Sequence, residues 1–379
     1  MIYFDNSATT EPNEEVLATF VEVSKRYYGN ASSAHQLGLN AEQLLRKSYQ
    51  HTSRLLSVKP TEIIFTSGGT EGNNLAIKGI ALAYQSRGKH LITTSIEHPS
   101  VLNPFKALEE LGFEVTYLPV DQSGIVSVDD LKQALRDDTI LVSVMHVNNE
   151  LGTIQPIRAI GEVLKNRKYT FFHVDNVQGF GKVELDLKAS YVDLATISGH
   201  KIHGLKGTGL LYQREGVRLF PLLHGGGQQD NRHSGTEDIA GIVSLARAMR
   251  LILEKQTNQV IQLRQLNQLL RERLNEIEDV VINTPEDQAP HIINFSIPGF
   301  KPEIILHALE ERGIYVSTQS ACSSKKADES SVLRAIHLPP NQRNSALRIS
   351  FSYQNTPDQV DKFVQSLKAI ITELKQDMR

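Results

Sequence analysis

Short β-branched runs alternate with helix-periodic segments through about residue 210, and this alternation leaves the chain few architectures. The runs IIFTS, HLITTS, EVTYL, ILVSVM, TFFHVD and LATIS each suit one strand, and apolar residues at helical spacing fill the intervals between them. Such alternation marks an α/β fold: a mostly parallel sheet with helices on both faces. From about 240 to 278 a periodic run places leucine and isoleucine on one face and charges opposite, which predicts one long helix or two in tandem. Its apolar stripe reads as core and domain bridge. The remainder, with strands at HIINFSI, IYVST and LRISFS and helices at EIILHALEERG and DQVDKFVQSLKAIITEL, predicts a smaller α+β domain. The expected division is an N-terminal segment, 1–15, packing with the small domain, a large domain over 16–250 and a small domain over 251–379.

Ligands of open α/β sheets sit beyond the carboxyl ends of the strands, so residues at those ends are the first candidates for chemistry. TFFHVDNVQG delivers Asp175 and Gln178 at one strand end, and LATISGHK delivers Lys201 at another. A lysine amine with a carboxylate is the pair that pyridoxal phosphate (PLP) chemistry needs, one to form a Schiff base and the other to keep the pyridine nitrogen protonated. TEIIFTSGGTEGNN runs from a strand through Gly68, Gly69 and Thr70 into a helical pattern, where glycine lets the backbone approach a phosphate and the helix start supplies donors. Each feature alone also has a plainer reading: a solvated lysine, an aspartate capping a turn, an ordinary strand-to-helix connection.

The chain has one cysteine, Cys322, which excludes an internal disulfide and a cysteine-rich metal cluster. Its surroundings, QSACSSKKADESS, are small, polar and charged, whereas structural free cysteines lie in apolar cores. Lys325 and Lys326 nearby would lower the thiol pKa, so Cys322 reads as a reagent. Apolar residues make up 40% of the chain, enough for full cores, and a net charge of −3 gives no electrostatic case for nucleic acid. Neither a signal peptide nor a membrane span is expected, which points to a cytoplasmic protein without membrane or direct nucleic-acid partners.

Taken in order, FDNSATT, SGGTEGNN, EHPSVL, MHVNNELGTIQPI, HVDNVQ, SGHKIHGLKGTG, HGGGQQDNRHSGTED, SACSSK and LRISFS resemble the cysteine desulfurases of the NifS/IscS type, within the class-V aminotransferases. The resemblance implies PLP fold type I, with a mostly parallel seven-stranded sheet, and a homodimer. It implies that Lys201 is the Schiff-base lysine, Asp175 the pyridinium partner and His98 the ring-stacking proton-transfer residue. Gln178 would bind the cofactor's phenolic oxygen, with Gly69, Thr70, Ser198 and His200 around its phosphate and Thr236 reaching the phosphate of the neighbouring subunit. Asn149 would lie near the substrate, Arg348 would grip the carboxylate of L-cysteine, and Cys322 would accept its sulfur. The sulfur would then pass to an acceptor protein, either of tRNA thiolation or of iron-sulfur assembly. No resident metal is expected, and Cys322 is the one residue that would contact an iron-sulfur cluster during transfer.

The chain departs from the commonest pattern at Asn176, Val177 and Gln319, and it stops at KQDMR, where scaffold-docking relatives carry a further tail. That ending favours the tRNA-thiolation acceptor. Three other readings stay in play. His200, His203, His98 and Asp175 could hold a metal, although Gly199 and Gly204 mark a turn there rather than a helical motif. A persulfide carrier would use Cys322 alone, but needs none of Lys201, Asp175 or His98. An aminotransferase or selenocysteine lyase shares the fold.

Overall fold

The computed structural model describes residues 1–318 and 330–377. A two-residue strand, β1 (Ile2–Tyr3), opens the chain. Seven strands then build the central sheet: β2 (Ile63–Thr66), β3 (His90–Thr94), β4 (Glu114–Leu118), β5 (Thr139–Met145), β6 (Phe171–Asp175), β7 (Leu194–Ser198) and β8 (Gly209–Gln213). Their order is β2-β8-β7-β6-β5-β3-β4, and only β8 runs antiparallel to its neighbours. The architecture is thus the expected α/β fold with a mostly parallel seven-stranded sheet. Strands β3, β5, β6 and β7 are buried at every residue, as near-continuous apolar runs covered on both faces must be. Edge strand β4 instead keeps Glu114 in solvent.

The six apolar runs leave out β8. It returns from β7 through the Lys201 turn without a helical crossover, so no alternation with a helix marks it. One face of the sheet packs Leu75, Ile77 and Ile80 of the helix Gly69–Tyr84 against Phe105 and Leu108 of the helix Pro99–Glu110. The other face receives Leu245, Met249 and Ile252 of the helix Ile239–Glu254. The periodic run after 240 resolves into two helices, that one and Gln256–Asn275, with Lys255 between them at φ −107° and ψ 2°.

Strands β9 (Val281–Ile282), β10 (Ile292–Ser296), β11 (Ile314–Tyr315) and β12 (Ala346–Ser350) complete the set. An antiparallel sheet β12-β10-β9 forms a second core with Leu263, Leu266 and Leu270 of the helix Gln256–Asn275 and with Phe363 and Leu367 of the helix Pro357–Asp377. The chain start belongs to this core: β1 pairs with β11 in parallel, and Phe4 is fully buried among Phe351 and Phe363. Val332, Leu333 and Ile336 cross back and join the large core.

The outer edge of β2 does not lie open. Gln229 pairs its side-chain amide with both main-chain groups of Phe65, at 2.8 and 2.9 Å, as a neighbouring strand would. Arg232 adds hydrogen bonds to the carbonyls of Thr61 and Ile63. Gln229, Asp230 and Asn231 reach this position through three successive left-handed backbone conformations, with φ of 49°, 58° and 61°.

Candidate active site

Beyond the carboxyl ends of β5, β6 and β7 lies a cavity of about 160 Å³. Lys201, Asp175, His98, Gln178, Ser198 and His200 line it, together with Gly69, Thr70, Asn149 and Arg348. Ten residues far apart in sequence thus face one space. Thr236 is not among them; it is exposed, in the segment before the helix Ile239–Glu254. Cys322 and Gln319 lie outside the described residues.

The turn between β2 and the following helix is shaped by glycine. Gly68 has φ of 153°, which side chains other than hydrogen rarely allow, and a Cβ on Gly209 would stand 2.6 Å from the Gly68 Cα. The helix then begins at Gly69, and Gly69 and Thr70 of its first turn both line the cavity. Ser198, at the end of β7, buries a hydroxyl that makes no hydrogen bond, and so does the Oε1 atom of Gln178. Buried polar atoms rarely go unsatisfied, so a helix N-terminus beside the orphaned Ser198 hydroxyl donor fits an anionic group, and the Gln178 oxygen is an acceptor that awaits a donor.

Asp175 ends β6 with both carboxylate oxygens engaged. Oδ2 accepts from Asn73 Nδ2 at 2.8 Å and Oδ1 accepts from the Val177 amide at 3.0 Å. Asn73 also donates to Ser100 Oγ at 2.9 Å, and Ser100 Oγ lies 2.7 Å from His98 Nδ1, so a single buried chain links the carboxylate to the imidazole. His98 caps the helix Pro99–Glu110 and accepts from the Ser100 amide. Burial, opposed by Asp175 and reinforced by Lys201, holds His98 below its ordinary value. His200, depressed by burial and then by Lys201, falls to about 4, so it is a neutral imidazole at pH 7.

The Lys201 ammonium donates to the carbonyls of Ser7 and, at 2.8 Å, of Ala8. Gln178 Nε2 donates to the same Ser7 carbonyl at 3.0 Å. Two residues further back, Asp5 Oδ1 accepts from Arg348 Nη2 at 2.8 Å, while Arg348 Nη1 donates to the Asn149 carbonyl at 2.8 Å. The arginine is 1% exposed, so its guanidinium is fixed before any ligand arrives. The first ten residues therefore hold both the amine and the guanidinium. Sequence reasoning missed Asn73, although it quoted SGGTEGNN, and it missed Ser7 and Ala8. Asn73 looks like an ordinary helix residue, and Ser7 and Ala8 act through carbonyls that every residue type possesses.

Both described flanks of the Cys322 segment attach beside this cavity. Ser317 exchanges main-chain hydrogen bonds with Arg348, and Ser330 Oγ donates to the buried Glu150 carboxylate at 2.5 Å, next to Asn149. Among the described residues no group of three or more His, Cys, Asp or Glu side chains stands in a metal-binding arrangement. No helix of the described residues is long and apolar enough to cross a membrane.

The aminotransferase class-V family model matches residues 2–363. The chain belongs to that family, in its NifS/IscS cysteine desulfurase branch. A NifS/IcsS protein homolog of Lactobacillus delbrueckii subsp. bulgaricus is 47% identical over 98% of this chain and 97% of the relative. A cysteine desulfurase IscS of Dictyoglomus turgidum is 41% identical over 99% and 95%. Among solved structures, a NifS-like protein superimposes with a TM-score of 0.92 at 38% identity, covering 98% of this chain and 99% of the other. Proteins of this family work with PLP, and the orphaned Ser198 and Gln178 atoms, the glycine turn and the Lys201–Asp175 pair fit that cofactor.

Proposed function

We propose that this protein is a PLP-dependent cysteine desulfurase that converts L-cysteine to L-alanine and carries the released sulfur as a persulfide on Cys322. The observation that carries this reading is the convergence of Lys201, Asp175, His98 and a pre-fixed Arg348 on one cavity. When bound, the cofactor withdraws electrons from the substrate's α-carbon. Lys201 would hold the cofactor covalently and move the α-proton, and Asp175, kept in place by Asn73 and the Val177 amide, would pair with the ring nitrogen. The helix start with Gly69 and Thr70, together with Ser198 and His200, would hold the phosphate, and Gln178 would hydrogen-bond the ring's phenolic oxygen. His98, which lines the same cavity, would stack on the ring and assist proton transfer. Arg348 takes the substrate carboxylate beside Asn149.

The Cys322 thiolate attacks the substrate sulfur. The carbon–sulfur bond breaks, its electron pair goes to the carbon, which takes up one proton from an acid of the site to become the methyl of alanine, and a sulfur–sulfur bond forms on Cys322. The persulfide sulfur then passes to an acceptor protein of tRNA thiolation or of iron-sulfur assembly, and partners trapped as mixed disulfides on Cys322 identify which. A homodimer in which Thr236 of each copy serves the other's phosphate accounts for the exposure of Thr236 in one chain. Mixing Lys201→Ala and Thr236→Ala protomers should then leave one intact site per heterodimer.

Cys322→Ala tests the central claim. The variant should retain the cofactor and its absorption yet form no alanine from cysteine, while wild-type protein given cysteine without reductant should gain sulfur on the peptide containing Cys322. Alanine formation at the wild-type rate by the variant would overturn the reading.

A further inference from the structure

Lys182 ends the same turn that carries Asp175 and Gln178, and it is 5% exposed. Its ammonium donates to the main-chain carbonyl of Lys201 at 3.0 Å, and among the described residues it forms no ion pair with a carboxylate. The charged and titratable groups that face it are all basic: Lys201 itself, His200, His203 and the fully buried His291, each histidine depressed in part by its charge. Burial, and then the positive charge of Lys201, lower Lys182 from its ordinary value, and the second cause lapses once the Lys201 amine is uncharged. An unpaired buried cation opposes folding, so a hydrophobic side chain of similar length would suit stability better. What the lysine gives in return must be local to Lys201.

We propose that Lys182 is a positioning residue for Lys201: it fixes the lysine-bearing turn through the Lys201 carbonyl and, by like charge, disfavours a second positive charge on the Lys201 amine. A lysine acts as nucleophile or base only when neutral, and a nearby cation in a water-poor site is one of the ways to reach that state. The geometry supplies both parts, because one short connection presents Asp175 to the cavity and returns to put Lys182 behind the lysine turn. The inference rests on the reading of Lys201 as the cofactor-holding lysine.

The test is a pH titration of the lysine–cofactor absorption band in the holoenzyme. Lys182→Met should raise its midpoint by roughly 0.5 to 1 unit, because one positive neighbour is gone. Lys182→Arg, whose charge is permanent, should keep the midpoint at or below that of wild type. Lys182→Gln replaces the methionine variant if the latter fails to fold. An unchanged midpoint in the neutral variant, or an equal rise in Lys182→Arg, overturns the proposal. Wild-type protein that takes up no PLP would instead overturn the reading of Lys201 beneath it.

Discussion

Asn73 is the residue whose importance the geometry raises most. It is fully buried, and it carries the hydrogen bond that fixes Asp175. A hydrogen bond to a charged acceptor contributes about 1.5–3 kcal/mol, so Asn73→Ala should weaken cofactor binding by roughly 10- to 100-fold, as measured by equilibrium dialysis. An affinity equal to that of wild type would show that Asp175 needs no support. Asp175 and Lys201 were legible in the sequence because each follows or ends a β-branched run; Asn73 was not, because as the fifth residue of a helix it resembles many solvated asparagines. A second pair gives a pH signature. Burial alone would raise Glu71, but hydrogen bonds from His233 and Ser67 outweigh it and hold the carboxyl at about 2, while the same contact raises His233 above 6.5. The Glu71 contribution is complete above its ordinary 4.5 and fades as pH falls toward 2; the His233 contribution is complete below 6.5 and is lost as pH rises through its raised value. The melting-temperature gap between wild type and Glu71→Gln should therefore be widest between about pH 4.5 and 6.5. A gap independent of pH would contradict the pair.

At the level of elements, the strands most visible in the sequence are those buried on both faces, because continuous Val, Ile and Leu runs leave little ambiguity. IYVST was the weaker expectation. Only Ile314–Tyr315 pairs as a strand, with Ser317 adding an isolated bridge to Arg348, because its partner β1 is itself two residues long. The close approach of β8 to the glycine turn had no sequence signal beyond the glycines themselves. Gly209→Ala would drive a methyl into the Gly68 backbone, which cannot rotate away as a side chain would. Overpacking of this kind costs about 1–3 kcal/mol, and here the strain falls on the turn proposed to hold the phosphate. Calorimetry should show the lost stability, and dialysis should show cofactor leaving faster. Full cofactor retention in the variant would mean that the turn yields elsewhere.

Across the whole molecule, the two cores and the cavity share one connector, the segment from Phe4 to Thr10. Phe4 anchors it in the small core through edge-on contacts with Phe351 and Phe363, with ring centroids 5.2 and 6.0 Å away. Phe4→Ala should lower stability by about 3–5 kcal/mol. It should also weaken cofactor retention, since Asp5, Ser7 and Ala8 follow directly and hold Arg348 and Lys201. Phe295→Ala, equally buried in the same core, should cost similar stability and spare retention. Equal retention in both variants would refute the coupling. The same connector imposes an order of events on biosynthesis. Asp5 and Ser7 are synthesised well before their partners Arg348 and Ser350, which lie 343 residues further on. The strands and the lysine turn can assemble while the chain is still growing, but the arginine opposite them does not yet exist. A nascent chain can thus shape its lysine turn early, whereas the guanidinium that Asp5 fixes arrives only 343 residues after Asp5 itself.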